Sequence, residues 1–382
     1  MSGIYIHIPF CKQACSYCDF HFSTKMTSKA TMVAALSKEL MLRKDAFLHQ
    51  RIESVYFGGG TPSVLSTAEI SALLAAVNTY YVLSHAAEIT LEANPDDLTE
   101  DYLKALSKTG VNRLSIGIQS FNGPALKFMN RAHNTTQALE ALRWVNKYFS
   151  NYSLDLIYGL PAQTAFDSKA KALWEQDLEI ALSFNPPHIS AYALTVEPKT
   201  ALEHQIKTGK LKALDEDMAA SQYLYLKKKL KKAGYEHYEF SNFSKPSFHA
   251  VNNTAYWEGK SYLGIGPSAH SYDGECRSWN VANNPKYLRA IEEGKLPTTK
   301  EKLTDAARYN EFIMTGLRTA KGVSLDKIET LFGPSFLAYV KREAAVKIKG
   351  GVLVLGADMV LKVSDKAQFL TDGLAAHLFY ID

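Results

Sequence analysis

The sequence predicts an α/β protein. A parallel sheet of six strand–helix units forms an incomplete, partial (β/α)6 TIM-like barrel, and a smaller α+β unit follows it. Three observations carry this reading. Six short aliphatic or β-branched runs recur at intervals of roughly 30–40 residues. Helical stretches separate them, as successive right-handed βαβ units require. Polar and glycine-rich residues collect at the C-terminal ends of several runs, where (β/α) barrels assemble their sites, and this favours a barrel over a doubly wound sheet.

The elements follow in order. IYIHI (4–8) is the first strand, and SKATMVAALSKELMLRKDAF (28–47) is an amphipathic helix. SVYF (54–57) is the second strand and stops at GGGTP; TAEISALLAAVNTYY (67–81) is the next helix. AEITLEA (87–93), NRLSIGI (112–118), YSLDLIY (152–158) and HISAYAL (188–194) continue the strands, with helices near 99–108, 134–149 and 167–183. A helix over 215–233 carries the lysine run YLKKKLKKAG, which reads as a solvated face with a glycine stop or as a surface for an acidic partner. Residues 241–300, rich in Asn, Ser, Gly, Pro and aromatics, read as irregular. From 303 onward, helices near 304–319, 324–332 and 335–347 precede two short strands, GVLVLG and MVLKVS, and a last helix. That order is winged-helix-like. No basic stripe marks a recognition helix, so a packing or partner-docking role is expected and nucleic acid is not. The expected division is 1–235 for the barrel, 236–302 for an irregular segment completing the site, and 303–382 for the C-terminal domain.

Composition bounds the function. The 382 residues are 46% hydrophobic and 21% charged, with a net charge of +4, an ordinary globular balance. No stretch has the ~18 uncharged apolar residues of a membrane span, and MSGIYIHIPF lacks the layout of a signal peptide. Four cysteines, three of them crowded together, make no disulfide framework. A reducing compartment, the cytoplasm, is expected.

CKQACSYC (11–18) places Cys11, Cys15 and Cys18 three and four residues apart, so they converge only if the backbone loops around a common centre. A structural zinc site needs four protein ligands, and His7 or His21 could supply the fourth. A four-iron cluster also needs four. With three cysteines one iron stays open, and an open metal position is where a substrate or cosubstrate binds.

The spacing C-x3-C-x2-C after a first strand resembles the signature of the radical S-adenosylmethionine (SAM) superfamily. YIHIPFCKQACSYCDF is similar to the family of oxygen-independent coproporphyrinogen III oxidases and their relatives, the HemW-type heme chaperones. YFGGGTPS (56–63), LEANPDDL (91–98), LSIGIQSFN (114–122), MNRAHN (129–134), LDLIYGLP (154–161) and YLGIGPSAHSY (262–272) extend the resemblance over nearly the whole chain. It implies a 4Fe-4S cluster on the three cysteines, with SAM chelating the open iron. A reduced electron donor would drive cleavage of SAM to a 5′-deoxyadenosyl radical. It further implies SAM contacts from the Gly58–Thr61 segment (Gly59, Gly60, Thr61), from Glu92, and from Gln119 and Asp155 as strand-ending polar residues. Arg131 would meet a carboxylate. Tyr5 and Tyr17 would flank the methionine and adenine side, and Ala193 would give backbone contacts.

Two departures separate the branches. The oxidases show C-x3-C-x2-C-x-C, whereas Cys18-Asp19-Phe20 stands here; they also carry an N-terminal extension, and this chain starts three residues before its first strand. Both point to the heme chaperones, which bind heme as cargo and pass it to acceptor hemoproteins. The alternative is a coproporphyrinogen dehydrogenase acting on a porphyrinogen by oxidative decarboxylation. The branch's H-N-x-x-Y-W block reads N-N-T-A-Y-W here, so Asn252 replaces its histidine; His249, His270 and Cys276 are other candidate heme ligands.

Overall fold

The computed structural model describes residues 2–47, 50–161 and 170–381. Its first six strands are β1 (Ser2–Ile8), β2 (Arg51–Gly59), β3 (Val82–Ala93), β4 (Arg113–Gln119), β5 (Tyr152–Tyr158) and β6 (His188–Ala193). They are parallel and lie side by side in chain order, as a partial barrel requires. Between and after them run α1 (Lys29–Leu42), α2 (Thr67–Tyr80), α3 (Glu100–Leu106), α4 (Gly123–Phe128), α5 (Thr135–Tyr148) and α6 (Ala170–Ser183). The expected start of the last of these, at 167–169, lies outside the described residues. α7 (Ala201–Lys207) and α8 (Glu216–Lys232) complete the expected barrel region. Side-chain caps set several helix starts: Ser66 with Glu69, and Asn134 with Gln137, form reciprocal capping boxes.

Alternation along the strands divides the sheet into two chemically different faces. Ile4, Ile6, Ile8, Phe57, Leu91, Ile116, Leu154 and Leu156 are fully buried and pack in one core with Leu36, Leu73, Leu103, Leu142 and Leu178 of the helices. Each such side chain contributes about 1.5–3 kcal/mol of burial. The intervening positions carry Tyr5, His7, Tyr56, Glu92, Ser115, Asp155 and Ser190. An ordinary (β/α) barrel fills its interior with branched aliphatics; here the concave face is polar.

Residues 241–300 correct the expectation of an irregular segment. β7 (Glu236–Glu239) and β8 (Asn242–Ser244) add antiparallel strands beyond β6. After α9 (Val251–Trp257), β9 (Tyr262–Ile265) pairs in parallel with β1, and β10 (His270–Tyr272), β11 (Cys276–Asn280) and β12 (Thr298–Lys302) extend that edge antiparallel. The result is one open sheet of twelve strands with β12 and β7 at its edges. These strands are three to five residues long and carry little apolar alternation, so their sequence gives no period-2 signal. Glu39 of α1 ties the extension down: buried, it accepts from Arg43 Nε (2.8 Å), Gly266 N (2.8 Å), Asn280 Nδ2 (2.8 Å) and Tyr287 Oη (2.7 Å). Tyr287 belongs to α10 (Asn284–Glu292).

The C-terminal part has its own core around Tyr309, Ile313, Val323, Ile328, Val340 and Leu361. α11 (Asp305–Leu317), α12 (Leu325–Phe332) and α13 (Pro334–Lys349) precede β14 (Leu353–Leu355) and β15 (Val360–Val363), and α14 (Thr371–His377) closes the chain. A two-residue strand, β13 (Val323–Ser324), joins the expected pair to make three.

Candidate metal and cofactor site

The cysteines sit on a closed loop at the exit of β1. Ser23 N donates to Pro9 O (2.9 Å) and Cys11 N to Ser23 O (3.1 Å), which joins the two ends of the loop. Two of the sequence blocks grip it. Gln13 Nε2 donates to Asn130 Oδ1 (2.7 Å), Asn130 Nδ2 to Ala14 O (2.7 Å), and Ser16 N to Met129 O (3.1 Å). Asn130 adopts φ 54, a left-handed conformation that asparagine tolerates. On the other side Lys12 pairs with Asp96 (2.9 Å) and with Asp97.

The glycine segment braces the same loop. Gly60 N donates to Ile8 O (2.9 Å) and Thr61 N to Phe10 O (2.7 Å), an approach so close that a Cβ on Gly60 would fall 2.6 Å from Phe10 O. Gly59 has φ +108, and a Cβ there would meet the His7 ring at 2.6 Å. Thr61 Oγ1 donates to Cys11 Sγ (3.3 Å) and receives from Asn94 Nδ2 (3.3 Å). Arg131 Nη2 donates to Asn94 Oδ1 (2.6 Å) and Gly117 O (2.8 Å), and its Nη1 to Cys15 Sγ (3.3 Å). A single relay of side chains therefore joins Cys11 to Cys15. Tyr17 lies beside the same guanidinium, and Arg131 Nε is buried without a partner.

Below the loop lies the polar lumen. The Tyr5 and Tyr56 rings stack at 6.1 Å, and Tyr56 Oη donates to Glu92 Oε1 (2.8 Å). His7 Nε2 is 2.8 Å from His21 O, so it carries the proton and Nδ1 accepts from Tyr5 Oη (3.2 Å). Burial pulls the His7 pKa down to about 4, which keeps the ring neutral. Both ring nitrogens of His7 are thus engaged, while His21 Nε2 lies 2.8 Å from Asn284 Oδ1. Asp155 corrects its expected place: it is the fourth of seven residues in β5 rather than the end, and it accepts from Ser115 Oγ (2.8 Å) and Ser153 Oγ (3.2 Å). Gln119 does end β4, in the left-handed region at φ 65, and Ala193 ends β6 opposite Tyr158.

The electrostatics are one-sided. Burial, with a smaller contribution from the Asp155 carboxylate, raises Glu92 to about 7, and burial also raises Asp155. Among the described residues no Lys, Arg or His lies within ion-pair distance of either carboxylate. Burial likewise pushes the Cys11 and Cys18 thiols to about 11; the Thr61 hydroxyl partly offsets this for Cys11, and each sulfur's neighbours add to it. Among the described residues no three His, Cys, Asp or Glu side chains are gathered tightly enough to hold a single ion. What the loop offers is three soft thiol donors within electrostatic reach of one another, above an acidic lumen suited to a cationic ligand. That donor set fits an iron–sulfur cluster and SAM.

Comparison with known proteins agrees. Residues 5–169 match the model of the radical SAM superfamily, and residues 303–370 match that of the HemN C-terminal domain. The chain is 36% identical to the heme chaperone HemW of Lactococcus lactis over 88% of this chain and 86% of the relative. The chain belongs to the HemW/HemN family of radical SAM proteins. The HemW of Bacillus subtilis is 34% identical over 88% of each chain. The solved structure of the coproporphyrinogen III oxidase HemN from Escherichia coli superposes with a TM-score of 0.84 at 24% identity, covering 99% of this chain and 90% of that one, which shows the shared fold. Membership in the radical SAM superfamily implies a 4Fe-4S cluster and SAM as cofactors.

Sequence reasoning missed three contributors. Asn94 bridges Thr61 and Arg131; its signal was its place directly before Pro95 at the end of β3. Tyr56 faces the lumen two residues before Gly58, a position the strand period could have shown. His7 was weighed as a zinc ligand and instead underlies Gly59. Of the candidate heme ligands, His270 comes within electrostatic reach of His7 beside the cysteine loop. Asn252 packs on the barrel floor, where its Oδ1 accepts from Ser54 Oγ (3.1 Å). His249 pairs with Glu236 (3.0 Å) and stacks on Tyr238, His270 is exposed on β10 against Trp279, and Cys276 begins β11.

Proposed function

We propose that this chain is a heme chaperone: a cluster-bearing radical SAM protein that binds heme and delivers it to acceptor hemoproteins in the cytoplasm. The observation that carries the reading is the 33–36% identity, over most of the chain, to several relatives named heme chaperone HemW. Phe20 supports it: at the place of the oxidases' additional cysteine it is a 67% exposed side chain. That no helix among the described residues is long and apolar enough to cross a membrane is compatible with a cytoplasmic site.

In this reading Cys11, Cys15 and Cys18 hold the cluster. When bound, the cluster and SAM supply one-electron reductive chemistry at the sulfonium. The protein's own residues do the positioning. Thr61, Asn94 and Arg131 keep the loop's sulfurs in register with the glycine segment, and the bulk of Tyr5, Tyr56 and Tyr17 excludes water. Glu92 receives the ligand's positive charge, which favours its ionised form. Gln119, Asp155 and Ala193 complete the rim and depth of the pocket.

Reduced, cluster-loaded protein incubated with SAM and coproporphyrinogen III, with heme titrated in parallel, tests the proposal. Stable heme binding and transfer to an apo-hemoprotein, without porphyrinogen turnover, is the expected result. Turnover to protoporphyrinogen would replace the chaperone reading with the dehydrogenase, and absence of heme binding would end it.

A further inference from the structure

The lysine run of α8 does not face open solvent along its whole length. Lys227, Lys228 and Lys231 line a cavity of about 780 Å³ between α8, the β7–β8 hairpin and the C-terminal domain. Lys362, Lys366 and Arg318 line it from the domain side, so six cations face three acids, Glu236, Glu239 and Asp365. Those acids are already engaged: Glu236 with His249 (3.0 Å), Glu239 with Ser241 N (3.1 Å) and Asn242, and Asp365 with Lys227 (3.8 Å). Arg318 is held by both oxygens of Asp372 (2.7 and 2.8 Å). Among the described residues, Lys228, Lys231, Lys362 and Lys366 have no carboxylate within 4.0 Å. Burial lowers the pKa of Lys227, with Lys231 adding to the effect and Asp365 opposing it.

Part-exposed Phe240 and His237 and exposed Leu224 give the wall its apolar surface, and each ring is backed by a buried one: Phe240 rests on Tyr223 (5.3 Å) and His237 on Phe243 (4.3 Å). A concave site of this volume, with flat apolar side chains below and unpaired ammonium groups at its rim, suits a small planar molecule bearing carboxylates better than a protein surface.

Resting on the chaperone reading above, we infer that this crevice seats the heme cargo, its propionate carboxylates on Lys228, Lys231, Lys362 and Lys366 and its ring against Phe240, His237 and Leu224. Recognition through the carboxylates uses no protein ligand on the iron, which leaves the metal to the acceptor's ligands. It also explains how the chain carries heme with Asn252 at the position of the family histidine.

The test titrates heme into the full-length, cluster-loaded protein by absorbance. A variant combining Lys228→Glu, Lys231→Glu, Lys362→Glu and Lys366→Glu should bind heme at least tenfold more weakly, with iron content and SAM binding unchanged. The same four positions changed to Gln guard against a charge-reversed variant that fails to fold, and should show a smaller loss in the same direction. Metal-free protoporphyrin IX should bind the wild type like heme, its dimethyl ester at least tenfold more weakly, and added salt should weaken heme binding. If the wild type binds heme and both variants match it, the seat is elsewhere while the chaperone reading stands. If the variants keep heme and lose only transfer to an apo-hemoprotein, the crevice docks an acidic protein and the inference fails. A wild type that binds no heme overturns both.

Discussion

Replacing Glu92 by Gln removes a titrating group from the lumen while keeping its shape and an acceptor for Tyr56 Oη. In the ligand-free protein Glu92 is raised by burial from 4.5 to about 7. The sign follows from linkage. Below about 4.5 the carboxyl is protonated in both folded and unfolded chains and contributes nothing. Above about 7 it is ionised in both, and the folded state carries the full cost of a buried charge. Stability due to this residue is therefore lost as pH rises between those values, by about 3 kcal/mol at 1.36 kcal/mol per pH unit. Urea denaturation of cluster-free protein at pH 5, 6, 7 and 8 should show the Glu92→Gln variant matching the wild type at pH 5. At pH 8 it should exceed the wild type by up to about 3 kcal/mol. Binding should show the opposite cost. Wild-type affinity for SAM should fall about tenfold per pH unit below 7, as a proton must leave to accommodate the cation, whereas the variant binds weakly at every pH. S-adenosylhomocysteine, which lacks the sulfonium charge, should show less of this dependence. Stability curves that run parallel for the two proteins from pH 5 to 8 would refute the reasoning.

Alanine at Cys11, Cys15 or Cys18 should abolish iron and labile sulfide, whereas Cys276→Ala should retain both; equal loss at Cys276 would mean the ligand set is wrong. Because Cys11 and Cys18 are held protonated up to about 11 and ligation expels those protons, cluster reconstitution should become steeply more complete from pH 7 to 9, and a flat profile would count against it. Gly59→Ala forces a side chain into φ +108 and onto the His7 ring. It should lower SAM affinity at least tenfold in a chain that still folds, measured by calorimetry beside circular dichroism. Glu39→Ala leaves part-buried Arg43 without its anion and buried Tyr287 without its acceptor, and should cost about 3–5 kcal/mol in denaturant unfolding; a loss below about 1 kcal/mol would show that Glu39 does not anchor the strand extension.

The six parallel strands were legible because each pairs an aliphatic outer face with a punctuated end: IYIHI before the cysteines, SVYF before GGGTP. The cysteine loop was legible from spacing alone. What stayed hidden were effects that need the third dimension. TTKEK (298–302) is wholly polar, and only its pairing with β11 makes it a strand. Glu39, flanked by Lys38 and Leu40, reads as a helix-surface charge, yet beside Arg43 one turn on, three donors from distant segments converge on it. Asp155 is expected to end its strand, although YSLDLIY itself sets it fourth of seven, in a Ser-Leu-Asp-Leu alternation that turns it to the lumen side. The lysines of α8 read as a solvated face or a surface for an acidic partner, and Lys228, Lys231 and Lys232 are exposed, but nothing in YLKKKLKKAG announces the C-terminal domain across from them.

The division of the sheet into an aliphatic back and a hydrophilic front has a bearing on how such a scaffold diversifies. Apolar cohesion resides where strands meet helices, whereas Ser115, Ser153 and Ser190 on the front are held by hydrogen bonds with Asp155 and one another, so an exchange there has to replace a bond rather than refill a core. New cargo chemistries can be tried on the front without dismantling the back, and related proteins can part ways in activity while their backbones stay superimposable.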